Sequence, residues 1–428
     1  MTEPLRLGIA GLGTVGVGVV KIIRQKANLL ALRTGRPIVI TAVSARSKSK
    51  DRGVSLSDYA WEDDPVALAT RDDVDVFVEL MGGHEGPAKD ATQAALAAGK
   101  DVVTANKALL AHYGHDLATT AEAKGNVIRF EAAVAGGIPV IKSLTEGLAG
   151  NEISRVMGVM NGTCNYILTR MQSSGLAYDE VFAEADALGY LEADPNLDVG
   201  GIDAGHKLSL LSSIAFGTQV DFDSVALEGI GEISIEDITL AAEMGYRIKL
   251  LGVAQKTGRG LEQRMTPCLV PEHSPLGQLE GGTNMVVLEG DNVGQIVLRG
   301  AGAGEGPTAS AVLSDILDIA RGIRLSTFGQ PAETLERITA AQSQTPAPFY
   351  IRLSLMDKPG SLAKVATALG NCGVSIDRMS QHDAQGDYAQ VIIVTHKTAR
   401  QELDAALSAI DETGVVTGTP VALRIETV

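Results

Sequence analysis

The start of the chain constrains its fold more than any other feature. Leu5–Ala10 is an apolar run typical of a buried strand, and it leads through Gly11-Leu12-Gly13-Thr14-Val15-Gly16 into an apolar helix that we expect to end near Ile23. In such a strand–loop–helix unit the first glycine permits a tight turn, the second lets a pyrophosphate approach the backbone, and the third lets the helix pack on the strand. The pattern predicts a Rossmann-type dinucleotide-binding domain; a glycine-rich turn without a ligand is the alternative. We expect contacts to the dinucleotide from Gly11, Gly13, Thr14, Val15 and Gly16.

The residues after the second predicted strand indicate which dinucleotide would bind. Ile38–Val43 is followed by Ser44-Ala45-Arg46-Ser47-Lys48-Ser49-Lys50. An acidic residue at this point would bind a ribose 2′-hydroxyl, whereas arginine and lysine attract a 2′-phosphate. We therefore expect NADP(H) to be preferred, with Arg46 at the 2′-phosphate and NAD(H) as the second choice. A solvated basic loop is the alternative.

Lys107 follows another predicted strand of the same domain. Val74–Leu80 and Asp101–Thr104 are typical of buried strands, and the second of them ends in Ala105-Asn106-Lys107. Ligands of open parallel sheets bind beyond the carboxyl ends of the strands. At that position Lys107 would reach both the cofactor and the substrate. A surface lysine at the start of a helix is the alternative.

Length and charge exclude several classes of protein. The 428 residues exceed what one hydrophobic core organises, so two or three domains are expected. A net charge of −16 argues against nucleic acid, and no apolar run reaches the roughly 18 residues of a membrane span. The N-terminus carries no basic-then-apolar signal, and Cys164, Cys268 and Cys372 are too far apart to indicate a disulfide framework or a zinc site. These features favour a cytoplasmic α/β enzyme.

An acidic loop ahead of an apolar helix brings several ionisable residues together within a short stretch of the chain. The stretch that ends at Lys207 contains Glu192, Asp194, Asp198 and Asp203. Asp203 and Lys207 are four residues apart and so share one face of a helix. Fixed acids beside a helix-borne lysine can bind a substrate ammonium group and deliver a proton. A solvated acidic loop before a buried helix is the alternative.

The order of residues in this stretch resembles the signature of homoserine dehydrogenases. The matching positions are Ala185, Gly189, Tyr190, Asp194, Pro195, Asp198, Val199, Gly201, Asp203 and Lys207. Leu191 departs from the signature, which has a small residue there. The segment Thr104-Ala105-Asn106-Lys107 also resembles a segment of that family, and the resemblance extends through nearly the whole chain.

The resemblance implies an enzyme that reversibly reduces L-aspartate 4-semialdehyde to L-homoserine with NADPH, in the biosynthesis of threonine, methionine and isoleucine. Lys207, oriented by Asp203, would exchange the proton of the reacting oxygen. Lys107 would position the substrate or help to polarise it. Glu192 would bind the substrate ammonium group with support from Asp198.

The middle of the chain is predicted to be an α+β substrate domain with a mixed sheet. Strand-like segments recur between residues 154 and 288, and helices near 178–188 and 205–216 would cover them. The glycine-rich loop Gly300–Thr308 resembles the family segment that folds over the cofactor, with Gly304 as a contact. A plain interdomain linker is the alternative for this loop.

A hinge between the first two domains resembles the cation site of the family. Carbonyl oxygens and one carboxylate suit a hard, weakly held ion such as sodium. The corresponding positions are Glu131, Val134, Gly136 and Ile138. The resemblance implies a structural ion here, whereas the residues alone indicate only a glycine-rich hinge.

The last 80 residues follow the order βαββαβ, which is ferredoxin-like. The motif Asp-x-Pro-Gly-x-Leu before the first of their helices resembles an ACT domain. That family binds an amino acid at this turn, so Asp357, Pro359 and Gly360 would bind an effector, and pathway logic indicates L-threonine. A dimerisation module without a ligand is the alternative.

We expect five stretches in chain order: a Rossmann domain (1–135), a substrate and dimerisation domain (136–307), a return segment packing on the first domain (308–330), a linker (331–348) and an ACT domain (349–428). A homodimer or homotetramer is expected. Because no kinase segment precedes residue 1, we do not expect a fusion with aspartokinase.

Two other functions fit parts of the sequence. A semialdehyde dehydrogenase would need an activated cysteine, and Cys164, the one candidate, has no basic partner nearby in sequence. An amino-acid sensor with a vestigial cofactor domain would bind threonine without turnover. The intact set of Lys107, Asp203 and Lys207 argues against the sensor.

Overall fold

The computed structural model describes residues 3–191, 194–341, 345–382 and 386–427. Its strands are β1 (Leu5–Ala10), β2 (Ile38–Ser44), β3 (Ala60–Glu62), β4 (Val76–Glu79), β5 (Asp101–Thr104), β6 (Ile128–Arg129), β7 (Ile153–Val159), β8 (Ala226–Leu227), β9 (Tyr246–Thr257), β10 (Gly260–Pro271), β11 (Thr283–Gly290), β12 (Gly294–Ala301), β13 (Phe349–Met356), β14 (Ile376–Gln381), β15 (Tyr388–Thr395) and β16 (Val416–Ile425). Its α-helices are α1 (Thr14–Thr34), α2 (Pro65–Thr70), α3 (Pro87–Ala97), α4 (Lys107–Ala123), α5 (Val140–Lys142), α6 (Gly162–Ser174), α7 (Tyr178–Ala187), α8 (Pro195–Val199), α9 (Ile202–Phe216), α10 (Ile235–Glu243), α11 (Glu305–Ala320), α12 (Ser361–Asn371) and α13 (Arg400–Glu412).

The first sheet has the Rossmann arrangement. Within the described ranges it contains six parallel strands in the order β3-β2-β1-β4-β5-β6. The strand order reverses between β1 and β4, and that reversal opens a crevice at the carboxyl ends of the strands. The expectation of a Rossmann-type sheet is therefore confirmed.

Helix α1 is longer than the sequence predicted, since it ends at Thr34 and not near Ile23. Residues after Ile23 are mostly exposed, so the apolar stripe that marked the first half fades there. They are nevertheless strong helix formers such as arginine, lysine, alanine and leucine. Gly35, with φ of 75°, then ends the helix in the left-handed conformation.

The second sheet joins the middle and the C-terminal parts of the chain. Its order is β12-β11-β7-β9-β10-β16-β13-β15-β14, and β8 pairs beside it with β10. Neighbours from β12 to β10 are antiparallel, whereas β8 and β16 both run parallel to β10, so the sheet is mixed as predicted. Strand β12 was not predicted, because this edge strand is largely exposed and lacks a buried apolar run.

The C-terminal strands and helices form the predicted ferredoxin-like unit. Its four strands lie in the order β16-β13-β15-β14, and α12 and α13 pack together over their own apolar core. Strand β16 also pairs with β10, with Cys268 opposite Arg424 and Leu269 opposite Ile425. The ACT-like strands therefore directly extend the sheet of the middle part of the chain.

Helix α11 returns from the second sheet to the first. It packs along α1, where a Cβ on Gly18 would lie 2.8 Å from Cγ of Glu305, so only glycine allows this approach. Nζ of Lys21 lies 2.9 Å from Oε1 of Glu305. The packing brings the loop before α11 over the carboxyl edge of the Rossmann sheet.

The segment before β13 is held against the second sheet. The backbone of Glu336 is hydrogen-bonded to Gly217 and Gln219, and Leu261 is bonded to Thr339 and Ala341. Leu335 is buried in the core and Ile338 packs against it, so side-chain packing adds to this backbone pairing, which composition does not indicate. None of the described helices combines the length and the apolar character needed to cross a bilayer.

Candidate active site

A cleft of about 610 Å³ separates the Rossmann sheet from the second sheet. The first side contributes Val15, Ala105 and Lys107, from the glycine-rich loop and the end of β5. Residues from the second side include Asn161, Thr163, Tyr190, Asp198, Asp203, Lys207 and Asn284, and the loop before α11 adds Gly302, Ala303, Gly304 and Thr308. Three stretches distant in sequence thus meet around one cavity.

Asp203 lies between two lysines in this cleft. Its Oδ1 is 2.7 Å from Nζ of Lys107, and its Oδ2 is 2.5 Å from Nζ of Lys207. The ammonium group of Lys207 also donates to the carbonyl oxygen of Met160 at 2.9 Å. Lys207 follows Asp203 by one helical turn of α9, whereas Lys107 begins α4 in the Rossmann part.

The electrostatics of this group favour an ionised carboxylate. Burial by itself would raise the pKa of Asp203, but the ammonium groups of Lys207 and Lys107 outweigh it and hold the pKa well below its usual range. A carboxylate bound by two cations fixes both side chains within the cleft. The arrangement can present an ammonium N–H to the carbonyl oxygen of a substrate.

Asp198 is placed close to this group by the short helix α8. Its side chain is 4% exposed, and Oδ1 accepts a hydrogen bond of 2.9 Å from Nδ2 of Asn161. Oδ1 of Asn161 accepts from the backbone N–H of Cys164 and so caps α6. Glu192, the predicted ligand for the substrate ammonium group, lies outside the described residues.

The glycine-rich loop fits a dinucleotide. A Cβ on Gly11 would lie 2.3 Å from the carbonyl oxygen of Leu80, and one on Gly16 would lie 2.0 Å from that of Gly11. Gly13 differs, because a Cβ there would meet none of the described atoms within 4 Å and would fill open space above the loop. Gly13 is also the N-cap of α1 without a side-chain cap, so the backbone N–H groups of Thr14 and Val15 can serve an anion.

The basic loop after β2 lies beside the glycine-rich loop. Arg46 is exposed two residues beyond the end of β2. Arg52, which the sequence did not single out, donates to the carbonyl oxygens of Leu12 at 3.2 Å and Ser47 at 2.6 Å. Its guanidinium carbon lies 5.7 Å from the centre of the Trp61 ring. Arg52 thus links the two loops through their backbone carbonyl groups. The sequence does not indicate this role, because Trp61 of β3 comes beside Arg52 only in the folded sheet.

Glu79 is a second residue that sequence reasoning missed. It ends β4, is fully buried, and its carboxylate accepts from Oγ1 of Thr104 at 2.6 Å and from the backbone N–H of Met81 at 2.7 Å. Burial raises the pKa of Glu79, against the effect of these hydrogen bonds. The position of an acid at the end of a parallel strand was the available signal. Glu79 fixes the loop that follows β4 at the edge of the cleft.

The predicted cation residues lie beneath the cleft. Glu131 is 2% exposed, and its two carboxylate oxygens accept from the backbone N–H groups of Ile141 at 2.9 Å and Lys142 at 2.8 Å. Burial and the nearby carboxylate of Asp315 raise the pKa of Glu131 to about 7. Each oxygen keeps a further lone pair, so the residue can still bind a cation. The residues that the structure describes contain no cluster of three or more His, Cys, Asp or Glu suited to a metal, so an ion here would depend on carbonyl oxygens.

That hinge also carries unusual backbone geometry. Ala135 and Gly136 have φ of 54° and 55°, and a Cβ on Gly136 would lie 2.3 Å from the carbonyl oxygen of Gly302. Val134 and Ile138 flank this turn and are buried. The turn therefore brings the hinge against the loop that carries Gly304, which has φ of 117° at the start of α11.

The predicted effector turn of the ACT unit is exposed. Asp357, Pro359 and Gly360 join β13 to α12, and the backbone N–H of Asp357 donates to the carbonyl oxygen of Asp387 at 2.9 Å. Gly360 is the N-cap of α12, with φ of 91° and no side-chain cap. The start of α12 therefore offers backbone N–H groups to a carboxylate.

Cys164 does not have the surroundings of a nucleophile. Its thiol is fully buried and donates to the carbonyl oxygen of Asp198 at 3.3 Å. Burial, together with the carboxylates of Asp198 and Asp203, raises the pKa of this thiol well above its usual value. The structure therefore gives no support to the semialdehyde dehydrogenase alternative, which needs a thiolate.

The family models, the relatives and the solved structures that this chain matches all point to one family. The family model described as homoserine dehydrogenase matches residues 139–317, the one for the homoserine dehydrogenase NAD-binding domain matches 11–131, and the ACT domain model matches 349–414. A homoserine dehydrogenase from Neisseria gonorrhoeae is 43% identical, with 99% of each chain covered. The crystal structure of a homoserine dehydrogenase from Thiobacillus denitrificans is 39% identical, with 99% of each chain covered and a TM-score of 0.94.

A third relative is a mutant homoserine dehydrogenase from a hyperthermophilic archaeon, solved in complex with NADPH. It is 28% identical, covers 74% of this chain and 97% of its own, and has a TM-score of 0.63. Together with the paired lysines around Asp203 and the open glycine-rich loop, these matches decide the family. The chain belongs to the homoserine dehydrogenase family, as an NAD(P)-dependent oxidoreductase with a C-terminal ACT domain.

Proposed function

We propose that this chain interconverts L-aspartate 4-semialdehyde and L-homoserine, with NADPH as the preferred cofactor, and so serves the synthesis of threonine, methionine and isoleucine. The observation that carries the proposal is the placement of Lys107, Asp203 and Lys207 in one cleft with the glycine-rich loop. A cofactor at that loop and a substrate at the lysines would share the same cavity.

The residues of the cleft take distinct roles in this proposal. Bound NADPH supplies the hydride that reduces the aldehyde carbon. Lys207 donates a proton from Nζ to the carbonyl oxygen, and in the reverse direction it accepts that proton from the alcohol. Asp203 holds Lys207 in place, because its Oδ2 is bound to the same nitrogen. Lys107 positions the substrate from the Rossmann side.

The polar ends of the substrate are assigned to the acidic loop. Glu192 binds the substrate ammonium group, as the resemblance to the family implies. Asp198 supports that position, since it lines the cleft and is fixed by Asn161. The carboxylate oxygens of the loop then favour an α-amino group over a neutral substituent.

For the cofactor, we assign the pyrophosphate and the 2′-phosphate to different loops. Gly11, Gly13 and the first residues of α1 hold the pyrophosphate, and Arg46 meets the 2′-phosphate of NADPH. Gly304 closes the cavity from the other side. The NADPH complex of the archaeal relative supports this choice of cofactor.

A sodium ion is proposed as a structural component of the hinge, held by Glu131 and by carbonyl oxygens of Val134, Gly136 and Ile138. The spare lone pairs of a buried carboxylate and the tight turn at Ala135 support this assignment. The ion takes no part in the proton or hydride transfer.

Regulation is assigned to the ACT domain. We propose that L-threonine binds at the turn formed by Asp357, Pro359 and Gly360, with its carboxylate at the start of α12. The chain is also proposed to form a homodimer or homotetramer. Two exposed valines support contact with a second copy: Val293, directly before the edge strand β12, and Val297, within it.

The function is tested by following the loss of NADPH absorbance with L-aspartate 4-semialdehyde, with and without millimolar L-threonine. Turnover that L-threonine suppresses supports both the catalytic and the effector assignments. Turnover that L-threonine does not change supports the enzymatic assignment and refutes L-threonine as the effector. Absence of turnover with both NADPH and NADH refutes the proposed reaction.

A further inference from the structure

Lys249 is a buried ionisable residue that the proposed chemistry does not use. It lies on β9, is 3% exposed, and its Nζ donates to Oδ1 of Asn165 at 2.9 Å and to the carbonyl oxygen of Leu279. Both acceptors are neutral oxygens. Burial lowers the pKa of Lys249 to about 8, although the carboxylate of Glu280 opposes this shift. Groups with a pKa perturbed in this way are common at functional sites.

Asn165 extends the contact from Lys249 to the loop before β11. It lies on α6, is 1% exposed, and its Nδ2 donates to the carbonyl oxygens of Gly281 at 2.7 Å and Leu279 at 3.4 Å. We call residues 279–282 the β11 loop. Gly281, with φ of 62°, and Gly282 give this loop a wide choice of backbone conformations. The hydrogen bonds from Lys249 and Asn165 select one of them.

The β11 loop forms part of the wall of the cleft. Gly282 lines the cavity together with Gly162 and Thr163, at the start of α6. A Cβ on Gly162 would lie 2.6 Å from the carbonyl oxygen of Gly282, so the two backbones are in direct contact. A Cβ on Gly282 would lie 3.9 Å from Cε1 of Tyr190, which also lines the cavity. These residues belong to the side of the cleft that we assign to the substrate.

We propose that Lys249 is a positioning residue for the substrate, which holds the β11 loop against the start of α6 through Leu279 and Asn165. The inference rests on the reaction proposed above. Lys249 acts through these neighbours and so sets the shape of the substrate side of the cleft. The glycine-rich loop and Arg46 belong to the other sheet, so binding of NADPH does not depend on Lys249.

The test is steady-state kinetics on the full chain with L-aspartate 4-semialdehyde and NADPH. Lys249→Met keeps the apolar stem but removes the donors, and should raise KM for the semialdehyde roughly tenfold while KM for NADPH changes less than about twofold. Lys256→Met, on the same strand, is the matched control. Its side chain is 46% exposed and its ion pair is on the surface, so both KM values should stay within about twofold of the wild type.

Asn165→Asp tests the second link separately. An aspartate can still accept from Nζ of Lys249, but it has no N–H for the carbonyl oxygen of Gly281. We expect the same selective rise in KM for the semialdehyde, and this variant tests the loop even where Lys249→Met does not fold.

Hydrogen exchange distinguishes a local effect from a general loss of stability. In Lys249→Met, backbone amides of the β11 loop should exchange faster than in the wild type, whereas those of β1 and α1 in the Rossmann part should be unchanged. Lys256→Met should leave both regions unchanged.

The possible failures are distinct from one another. A wild-type chain that turns over the semialdehyde, together with a Lys249→Met variant whose KM values match those of Lys256→Met, would overturn the positioning role. An equal rise in KM for the semialdehyde and for NADPH would overturn it as well. A wild-type chain without turnover refutes the proposed reaction, and with it the substrate that Lys249 would position.

Discussion

Nζ of Lys107 and Oδ1 of Asp203 lie 2.7 Å apart, although one residue begins a Rossmann helix and the other is on the helix that covers the second sheet. The ion pair therefore joins the two walls of the cleft at the place where we assign the reaction. If the proposed substrate binds at these lysines, we expect it to share or displace this contact, so that its binding depends on the relative position of the two walls.

Lys207→Ala should reduce kcat by roughly 10²- to 10⁴-fold, because it removes the proposed proton donor. NADPH should still bind, since Lys207 is bound to Asp203 and Met160 and not to the glycine-rich loop. Steady-state kinetics and fluorescence titration with NADPH check both parts. Lys397→Ala, on the exposed surface of the ACT domain, is the matched control. Near-normal turnover in Lys207→Ala would refute its role.

Two alanine substitutions in the glycine-rich loop should separate binding from folding. Gly16→Ala places a methyl group against the carbonyl oxygen of Gly11, so we expect a loss of about 1–3 kcal/mol in stability. Gly13→Ala meets no described atom, so its Tm should be unchanged while KM for NADPH rises on the order of tenfold, about 1.4 kcal/mol. Thermal unfolding and kinetics measure the two effects. A Gly13→Ala variant with normal KM would show that the cofactor does not approach this position.

Arg46→Ala should raise KM for NADPH roughly tenfold, since it removes a charge-assisted hydrogen bond to the 2′-phosphate, and should leave KM for NADH nearly unchanged. Arg52→Ala should raise both, because Arg52 holds the backbone of Leu12 and Ser47. Initial rates with the two cofactors distinguish these patterns, and Arg33→Ala, near the far end of α1, is the control. Equal effects of Arg46→Ala on both cofactors would remove it from the 2′-phosphate site.

His206 should make the protein less stable in acid. Burial and the neighbouring His112 lower the pKa of His206 to about 4, from an ordinary value of 6.5. Between these values the unfolded chain binds more protons than the folded chain, so the free energy of unfolding rises with pH and falls on acidification. Urea unfolding at about pH 5 and about pH 7 should show a smaller difference for His206→Gln than for the wild type. His396→Gln, an exposed site, should retain the full difference; an unchanged difference in His206→Gln would contradict this account.

The Rossmann part was predictable from sequence because its signals are local. The run Leu5–Ala10 and the spacing of Gly11, Gly13 and Gly16 specify a strand, a turn and a helix without reference to the rest of the chain. The contact between Asp203 and Lys207 was predictable for the same reason, since residues four apart on one helix share a face.

Contacts between distant segments were not predictable in this way. The pairing of Cys268 with Arg424 joins strands more than 150 residues apart, and no pattern in either strand specifies its partner. Arg52 was missed for a related reason, because its role depends on a neighbour that only the folded sheet supplies. Glu79 was missed although its position at the end of β4 was a local signal. The pairing of Lys107 with Asp203 required either the fold or the family signature.

The pairing of β16 with β10 also bears on how the chain tolerates shortening. A chain that ends before β13 would leave the Cys268–Leu269 portion of β10 with unsatisfied backbone groups along an open, apolar rim. Such a rim is a template for intermolecular strand addition. We therefore expect that pairing with β16 also protects this edge of β10 from fibril-like association with other chains.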